Sequence, residues 1–274
     1  MRDWLVDKLS PSPEDVDALL AEGSFVDDAG RPWTGREVYR PHTFVWFHRE
    51  LRDEPVVPGE LTVLYQDDRI VVLDKPHYLS TIPRGRHVVE SVVVKGRSML
   101  GLPELSAAHR LDRATAGVVL LTTQKRWRGA YQQLFAQRRT AKSYEAIARF
   151  DPALSFPMRV ESHLTKRVGT LQAETLDLPP NAFTDIDLLE VRHGWARYRV
   201  TPLTGKTHQI RCHFNQLGIA LHGDQLYPVV ASRAIDDFSE PLRLLARRLA
   251  FTDPIDGAER SFTSLRTLRW PTVD

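Results

Sequence analysis

The stretch His109-Arg110-Leu111-Asp112-Arg113-Ala114-Thr115-Ala116-Gly117, followed at once by Val118-Val119-Leu120-Leu121, decides how this chain is read. It sets one acidic residue between two arginines at the mouth of an apolar run of the length of a buried strand. A carboxylate flanked by guanidinium groups is poised to stay ionised and to meet a polyanion, which points to nucleophilic chemistry on nucleic acid. A plainer reading is also open: Asp112 caps a turn, Arg110 and Arg113 are solvated, and Gly117 permits a tight lead into the strand.

Downstream, Pro202 to Tyr227 reads PLTGKTHQIRCHFNQLGIALHGDQLY, dense in groups that hydrogen-bond or carry charge. A helix is predicted over Thr207 to Leu217, with Ile210, Phe214 and Leu217 as its apolar face and Gly218 ending it. Arg211 then lies near the N-terminal turn beside His208, where helix-start amides add to the pull on an anion. Short β-rich runs cover Leu61 to Tyr65, Ile70 to Asp74, Val118 to Thr123, Tyr144 to Ala148 and Ala196 to Leu203. The clearest helix runs from Arg126 to Arg138, where Trp127, Ala130, Tyr131, Leu134 and Phe135 recur at spacings of three and four; that stripe reads as core, not as a base-stacking platform. The expected class is α+β, a largely antiparallel mixed sheet with flanking helices and loops.

The first 58 residues read as a small N-terminal extension, and residues 59–274 as the main domain, with Glu54-Pro55-Val56-Val57-Pro58-Gly59 as the boundary. Ser12 is placed to cap a helix with Pro13 at its first position, Val16, Leu19 and Leu20 on one face, and Gly23 at its end. Thr43 to His48 reads as a strand. With Arg31, Arg36 and Arg40, the segment suits either a reduced RNA-binding module or an extension packed on the main domain.

At 274 residues and 42% hydrophobic content the chain can bury a substantial core. A net charge of +2 excludes a histone-like polycation. Lys8, Lys75, Lys95, Lys125, Lys142, Lys166 and Lys206 are the only lysines, so most cations are arginines, which suit bidentate phosphate contacts. The single cysteine, Cys212, excludes an internal disulfide and a thiolate zinc cluster and fits a reducing cytosol. No apolar stretch of signal-peptide or transmembrane kind is visible, so a soluble, cytoplasmic protein is expected.

The two clusters together resemble the RluA-type pseudouridine synthases, whose members carry HRLD and later a TGRTHQIR-like helix start. DDRIVVLDKPHYLSTIP (Asp67 to Pro83) is similar to the family's opening strand and Lys-Pro turn, KSYEAIA (Lys142 to Ala148) to its Tyr-bearing strand, and LLARRLAFTDPIDG (Leu244 to Gly257) to its closing motif. Five motifs appear in the family's order from about residue 60 to the C-terminus. The resemblance implies that residues 59–274 form the pseudouridine synthase catalytic domain. It also implies that the chain isomerises uridines in structured ribosomal or transfer RNA, without metal or cofactor, and a monomer is expected. Asp112 is then the nucleophile, Arg211 the cation facing it, and Tyr144 the tyrosine against the target uracil. Arg110 is the candidate to fill the stack left by an extruded base, and Lys75, Arg84, Arg86, Lys206 and His208 are candidate RNA contacts. His109 and Thr115 are expected to brace the catalytic loop, and Asp224 and Tyr227 to support the site by hydrogen bonds. Ala116, Lys206, Tyr78, Pro228 and Leu245 depart from the family's usual Ser, Arg, Gly, Gly and His. None removes a group that the chemistry demands, so the departures bear on substrate choice.

Three rivals fit less well. A metal hydrolase could draw on His208, His213, His222 and Asp224, yet two histidines five apart on a helix diverge by about 140°, unlike the i, i+4 pair of HExxH. An aspartate-nucleophile phosphatase would need a second acid two residues after Asp112, where Ala114 stands. A non-catalytic RNA-binding protein of the same fold would be marked by loss of the Asp, Tyr or Arg, and Asp112, Tyr144 and Arg211 are all present.

Overall fold

Two uninterrupted apolar runs, 70–73 and 118–121, are buried along their whole length because both faces of their strands are covered. The computed structural model describes residues 1–9, 12–41, 43–47, 53–85, 87–234 and 236–272. The chain divides into two units, Met1–Asp53 and Glu54–Asp274. That division falls earlier than the expected boundary after residue 58. The Glu54 carboxylate accepts the N–H groups of Val88, Val89 and Glu90, and Val57 is buried in the second unit's core.

In the first unit, helices α1 (Arg2–Leu9) and α2 (Pro13–Ala21) pack Leu5 and Val16 on Phe25 of strand β1 (Phe25–Val26), which pairs antiparallel with β2 (Trp46–Phe47). Ser12 caps α2 and forms a reciprocal capping box with Asp15. Of the strand expected over Thr43 to His48, only Trp46 and Phe47 pair, and His48 lies outside the described residues.

The second unit runs β3 (Thr62–Gln66), β4 (Ile70–Lys75), α3 (Val92–Leu100), β5 (Ser106–Ala107), β6 (Ala116–Thr122), a 3-10 turn (Lys125–Trp127) leading into α4 (Arg128–Ala136), then β7 (Thr140–Arg149) and β8 (Met158–Thr165). It continues through β9 (Glu174–Leu176), β10 (Ala182–Arg192), β11 (Trp195–Pro202), α5 (Gln209–Gln216), β12 (Leu244–Thr252) and β13 (Glu259–Thr263). Among the described residues these strands form one sheet in the order β3-β4-β6-β12-β7-β11-β10-β8-β9, with β5 on β6 and β13 on β12. The expected α+β class with a largely antiparallel mixed sheet holds: β6 and β12 run parallel at Ala116–Leu245 and Gly117–Ala246, and the other pairs are antiparallel.

Alternation sorts the strand residues between the layers. Val71, Leu73, Val119 and Leu121 meet Val92 and Val93 of α3, while Ile70, Val72, Val118 and Leu120 meet Tyr131 and Leu134 of α4. Ile210 and Phe214 of α5 cover Ile186, Tyr198 and Val200 farther along the sheet. The parallel joint depends on Gly117, whose φ is +115° and where a Cβ would stand 2.2 Å from the Ala246 carbonyl oxygen. At the β12–β13 end, Arg69 and Arg260 tie Asp67, Asp253 and Asp256 into a half-buried ion network that Tyr65 and Tyr131 join through their hydroxyls.

Candidate active site

Asp112 sits on the loop between β5 and β6, lining a cavity of about 780 Å³. Four successive carbonyls of that loop are taken. Leu111 O accepts the Thr81 hydroxyl at 2.7 Å, Asp112 O the Thr115 N–H at 3.1 Å, and Arg113 O the Lys75 ammonium at 3.1 Å, while Ala114 O lies 2.7 Å from His77 Nδ1. Thr81 Oγ1 also accepts the Leu111 N–H. A backbone so fully bonded holds its side chain in one place. The Asp112 carboxylate itself accepts no hydrogen bond among the described residues and meets only the Arg211 guanidinium, Nη1 to Oδ2 at 3.7 Å.

Arg211, in the first turn of α5, is 4% exposed and fixed by a fork-to-fork bond to Asp224. Its Nε donates to Oδ2 at 2.8 Å and its Nη2 to Oδ1 at 2.5 Å, which leaves Nη1 for Asp112. Asp224 Oδ1 is in turn held by the N–H groups of Leu226 and Tyr227, and the Tyr227 ring lies 5.4 Å under the guanidinium. Burial acts to lower the Arg211 pKa, but the bonds to Asp224 and the charges of Asp224 and Asp112 prevail and raise it. The guanidinium is a permanent cation.

His208 precedes α5 in a left-handed conformation, lines the cavity, and has Nδ1 3.1 Å from the Tyr227 hydroxyl. Behind it the Gln209 amide is fully used: Oε1 accepts from Thr204 Oγ1 and Lys206 N, and Nε2 donates to Phe183 O and Thr184 Oγ1. This amide ties the 204–209 segment to β10. Tyr144 of β7, between β11 and β12, also lines the cavity. Burial, with the negative charge of Asp112 adding to it, pushes the Tyr144 pKa up, so its phenol stays protonated. Arg97, Arg110, Arg138, Lys142 and Lys206 line the cavity too, and among the described residues that line it Asp112 is the only carboxylate. The field there favours a polyanion.

The structure brings Asp112, Tyr144 and Arg211 together and places Arg110 and Lys206, both exposed, on the cavity rim. It corrects two other expectations. Lys75 is no RNA contact: it ends the buried strand β4, fully covered, and its Nζ donates to the carbonyls of Pro76, Leu79 and Arg113. Burial pushes its pKa well down, against which three acceptors match the three N–H groups of an ammonium. Arg113 does not flank the carboxylate as a partner; its guanidinium stacks 5.5 Å over the Tyr78 ring. Tyr78 occupies φ +65°, which accounts for the glycine expected there.

Arg84 is exposed on the turn closed against His87 and is not among the cavity-lining residues, and Arg86 lies outside the described residues. His109 stacks on Phe135 at 4.2 Å and takes the Leu120 N–H on Nε2, while burial pushes its pKa to about 3. Thr81, His77 and Gln209 escaped the sequence reading. Only Gln209, two places before Arg211, carried a local signal. The histidines and acid of the metal reading go to separate partners: His213 to Ser162, His222 to Glu240, Asp224 to Arg211. Among the described residues no helix is long and apolar enough to cross a membrane.

Residues 69–216 match the family model described as RNA pseudouridylate synthase. The dual-specificity RNA pseudouridine synthase RluA of Escherichia coli K12 is 30% identical over 216 residues, covering 74% of this chain and 91% of the relative. The protein of the same name from Haemophilus influenzae is 28% identical over 225 residues, covering 77% and 95%. Two solved human proteins share the fold. RNA Pseudouridylate Synthase Domain Containing 1 has a TM-score of 0.58 at 23% identity over 77% of this chain and 86% of its own. RNA Pseudouridylate Synthase Domain Containing 4 has a TM-score of 0.57 at 23% identity over 76% and 88%. The chain therefore belongs to the RNA pseudouridylate synthase family, as an enzyme of the RluA type.

Proposed function

We propose that this enzyme converts uridines of structured ribosomal or transfer RNA to pseudouridine with Asp112 as the nucleophile. The observation that carries the reading is the Asp112 carboxylate, free of hydrogen bonds among the described residues, on a pinned loop and 3.7 Å from a guanidinium that Asp224 holds in place.

A uridine in folded RNA is stacked, so it must be extruded into the cavity at a cost of a few kcal/mol. The exposed Arg110 on the rim is suited to fill the vacated stack, because a planar guanidinium both stacks on bases and binds phosphate. Within the cavity Asp112 bonds to the ribose or to the uracil ring and is released again, the bond from C1′ to N1 breaks, the uracil turns while bound, C1′ joins C5, the C5 hydrogen leaves as a proton and N1 takes one up. Product and substrate are isomers, so no electron is gained or lost. Asp112 keeps its lone pairs for the reacting centre, Arg211 neutralises it without competing for those lone pairs, and Tyr144 relays a proton as a phenol. In the N-terminal unit, exposed Arg36 and Arg40 and the stacked pair Phe44–Trp46 add RNA contacts. Replacing both arginines by alanine tests that addition through RNA affinity.

Purified enzyme is expected to release tritium from ribosomal or transfer RNA labelled at uracil C5. No release from either RNA pool, under conditions where the RNA is bound, would contradict the proposed activity.

A further inference from the structure

Among the described residues four that are not glycine hold positive φ: Tyr78, Arg138, His193 and His208. His193 precedes Gly194 in the tight β10–β11 turn, and His208 opens α5 at the site. Arg138 stands just beyond α4 at φ +57°. The Arg139 N–H returns to Leu134 O at 2.7 Å and the Arg138 N–H to Phe135 O at 3.2 Å. This is the closed helix ending whose left-handed position favours glycine, since a Cβ there crowds the following carbonyl.

Packing does not account for an arginine at this place. The side chain is exposed, and among the described residues it forms no hydrogen bond or ion pair, yet it lines the cavity. Lys142, three residues into β7, lines the same cavity; its Nζ donates to Thr204 O at 3.3 Å and faces the bare Cα of Gly205, where a Cβ would come within 3.9 Å. Burial lowers the Lys142 pKa, and the positive charge of Arg138 lowers it further. Two cations thus stand near each other, with no carboxylate partner among the described residues, one of them on a strained backbone. Such an arrangement is tolerated where an anion is to be bound.

We propose that Arg138 and Lys142 form a phosphodiester-binding subsite on the α4–β7 side of the cavity, gripping the RNA backbone next to the extruded nucleotide. This rests on the reading of the cavity as the RNA site and adds where a neighbouring phosphate is held. It also makes Arg138 a residue that trades stability for affinity. A glycine would fit the backbone better and bind RNA worse.

The test measures binding of a fluorescein-labelled RNA stem-loop with uridines in its loop, across a salt series, together with thermal melting. Arg138→Gly is expected to weaken binding about five- to tenfold near 0.1 M salt and to make the slope of log K against log salt shallower by about one. The same variant is expected to melt about 2–4 °C higher. Arg138→Lys, which keeps the charge on the strained backbone, should retain the wild-type slope, and Lys142→Gln should lose about one unit of it. Wild-type affinity and slope in Arg138→Gly would overturn the subsite, and so would a lower melting temperature, which would give the side chain a structural role. Failure of the wild-type enzyme to bind the stem-loop would instead strike at the RNA reading of the whole cavity, so the two failures are distinguishable.

Discussion

Asp253 and Asp112 are both carboxylates that face arginine within one domain, and they are held in opposite ways. Asp253 is 2% exposed; it accepts the Tyr131 hydroxyl and the Ile255 N–H, both at 2.9 Å, with Arg260 at 3.6 Å and Arg69 at 3.9 Å. The Asp112 side chain is 30% exposed, lacks hydrogen bonds among the described residues, and has one guanidinium at 3.7 Å. In the Asp253 network the donors converge on the carboxylate. At Asp112 they converge on the backbone beneath it. A carboxylate saturated with donors is stable and inert, whereas one carried on a saturated loop is fixed in position with its lone pairs available.

Substitutions can break or sharpen that contrast. The largest stability effect is expected for Asp224→Ala, which strands the Arg211 cation in the interior and should cost about 3–5 kcal/mol. Because Arg211 then loses the fork that aims Nη1 at Asp112, tritium release should also fall, by about two orders of magnitude. Chemical denaturation and a labelled-RNA assay on the same preparation read both. Asp253→Asn should cost about 2–3 kcal/mol through its lost ion pairs while leaving release per folded molecule within about twofold. A rate loss beyond about tenfold in that variant would abolish the distinction between the two networks.

A smaller, pH-dependent effect concerns the histidines. Burial pushes His77 and His213 to about 4 and His109 to about 3, all below the ordinary value of 6.5. Since the folded pKa lies below the unfolded one, the unfolded chain takes up protons first as pH falls. The stability tied to these groups is complete above about pH 6.5 and is lost toward pH 4, by up to about 1.4 kcal/mol per pH unit for each group. His109→Gln keeps an acceptor for the Leu120 N–H and should make stability between about pH 6 and pH 5 less steep by about one proton. An unchanged steepness in urea titrations would mean that His109 is not held neutral.

Asp112, Tyr144 and Arg211 were legible because each sits in a short contiguous stretch whose neighbours carry the signal. The braces of the catalytic loop were not, since Thr81, His77 and Lys75 reach it across 30, 37 and 38 residues, and no local pattern marks such a bond. Lys75 and Arg113 were misplaced for a related reason: a charged residue beside a proline or an aspartate reads as solvated, and only the tertiary structure offers carbonyls or a ring to receive it. Strands β8 and β10 escaped notice although their burial alternates. Inward positions such as Ser162 and Thr184 are polar, satisfied by His213 and Gln209, and they interrupt the apolar pattern by which a strand is found. The left-handed Arg138 gave no cue either, because glycine is the residue that announces such a turn.

The most direct measurement is single-turnover tritium release by Asp112→Asn, with RNA affinity and unfolding free energy recorded beside it. Release is expected to drop by about 10⁴-fold or more while binding, its salt dependence and stability stay near the wild-type values, because the amide keeps the shape and removes the charge. Release at the wild-type rate from the folded, RNA-bound variant would contradict the assignment of the nucleophile.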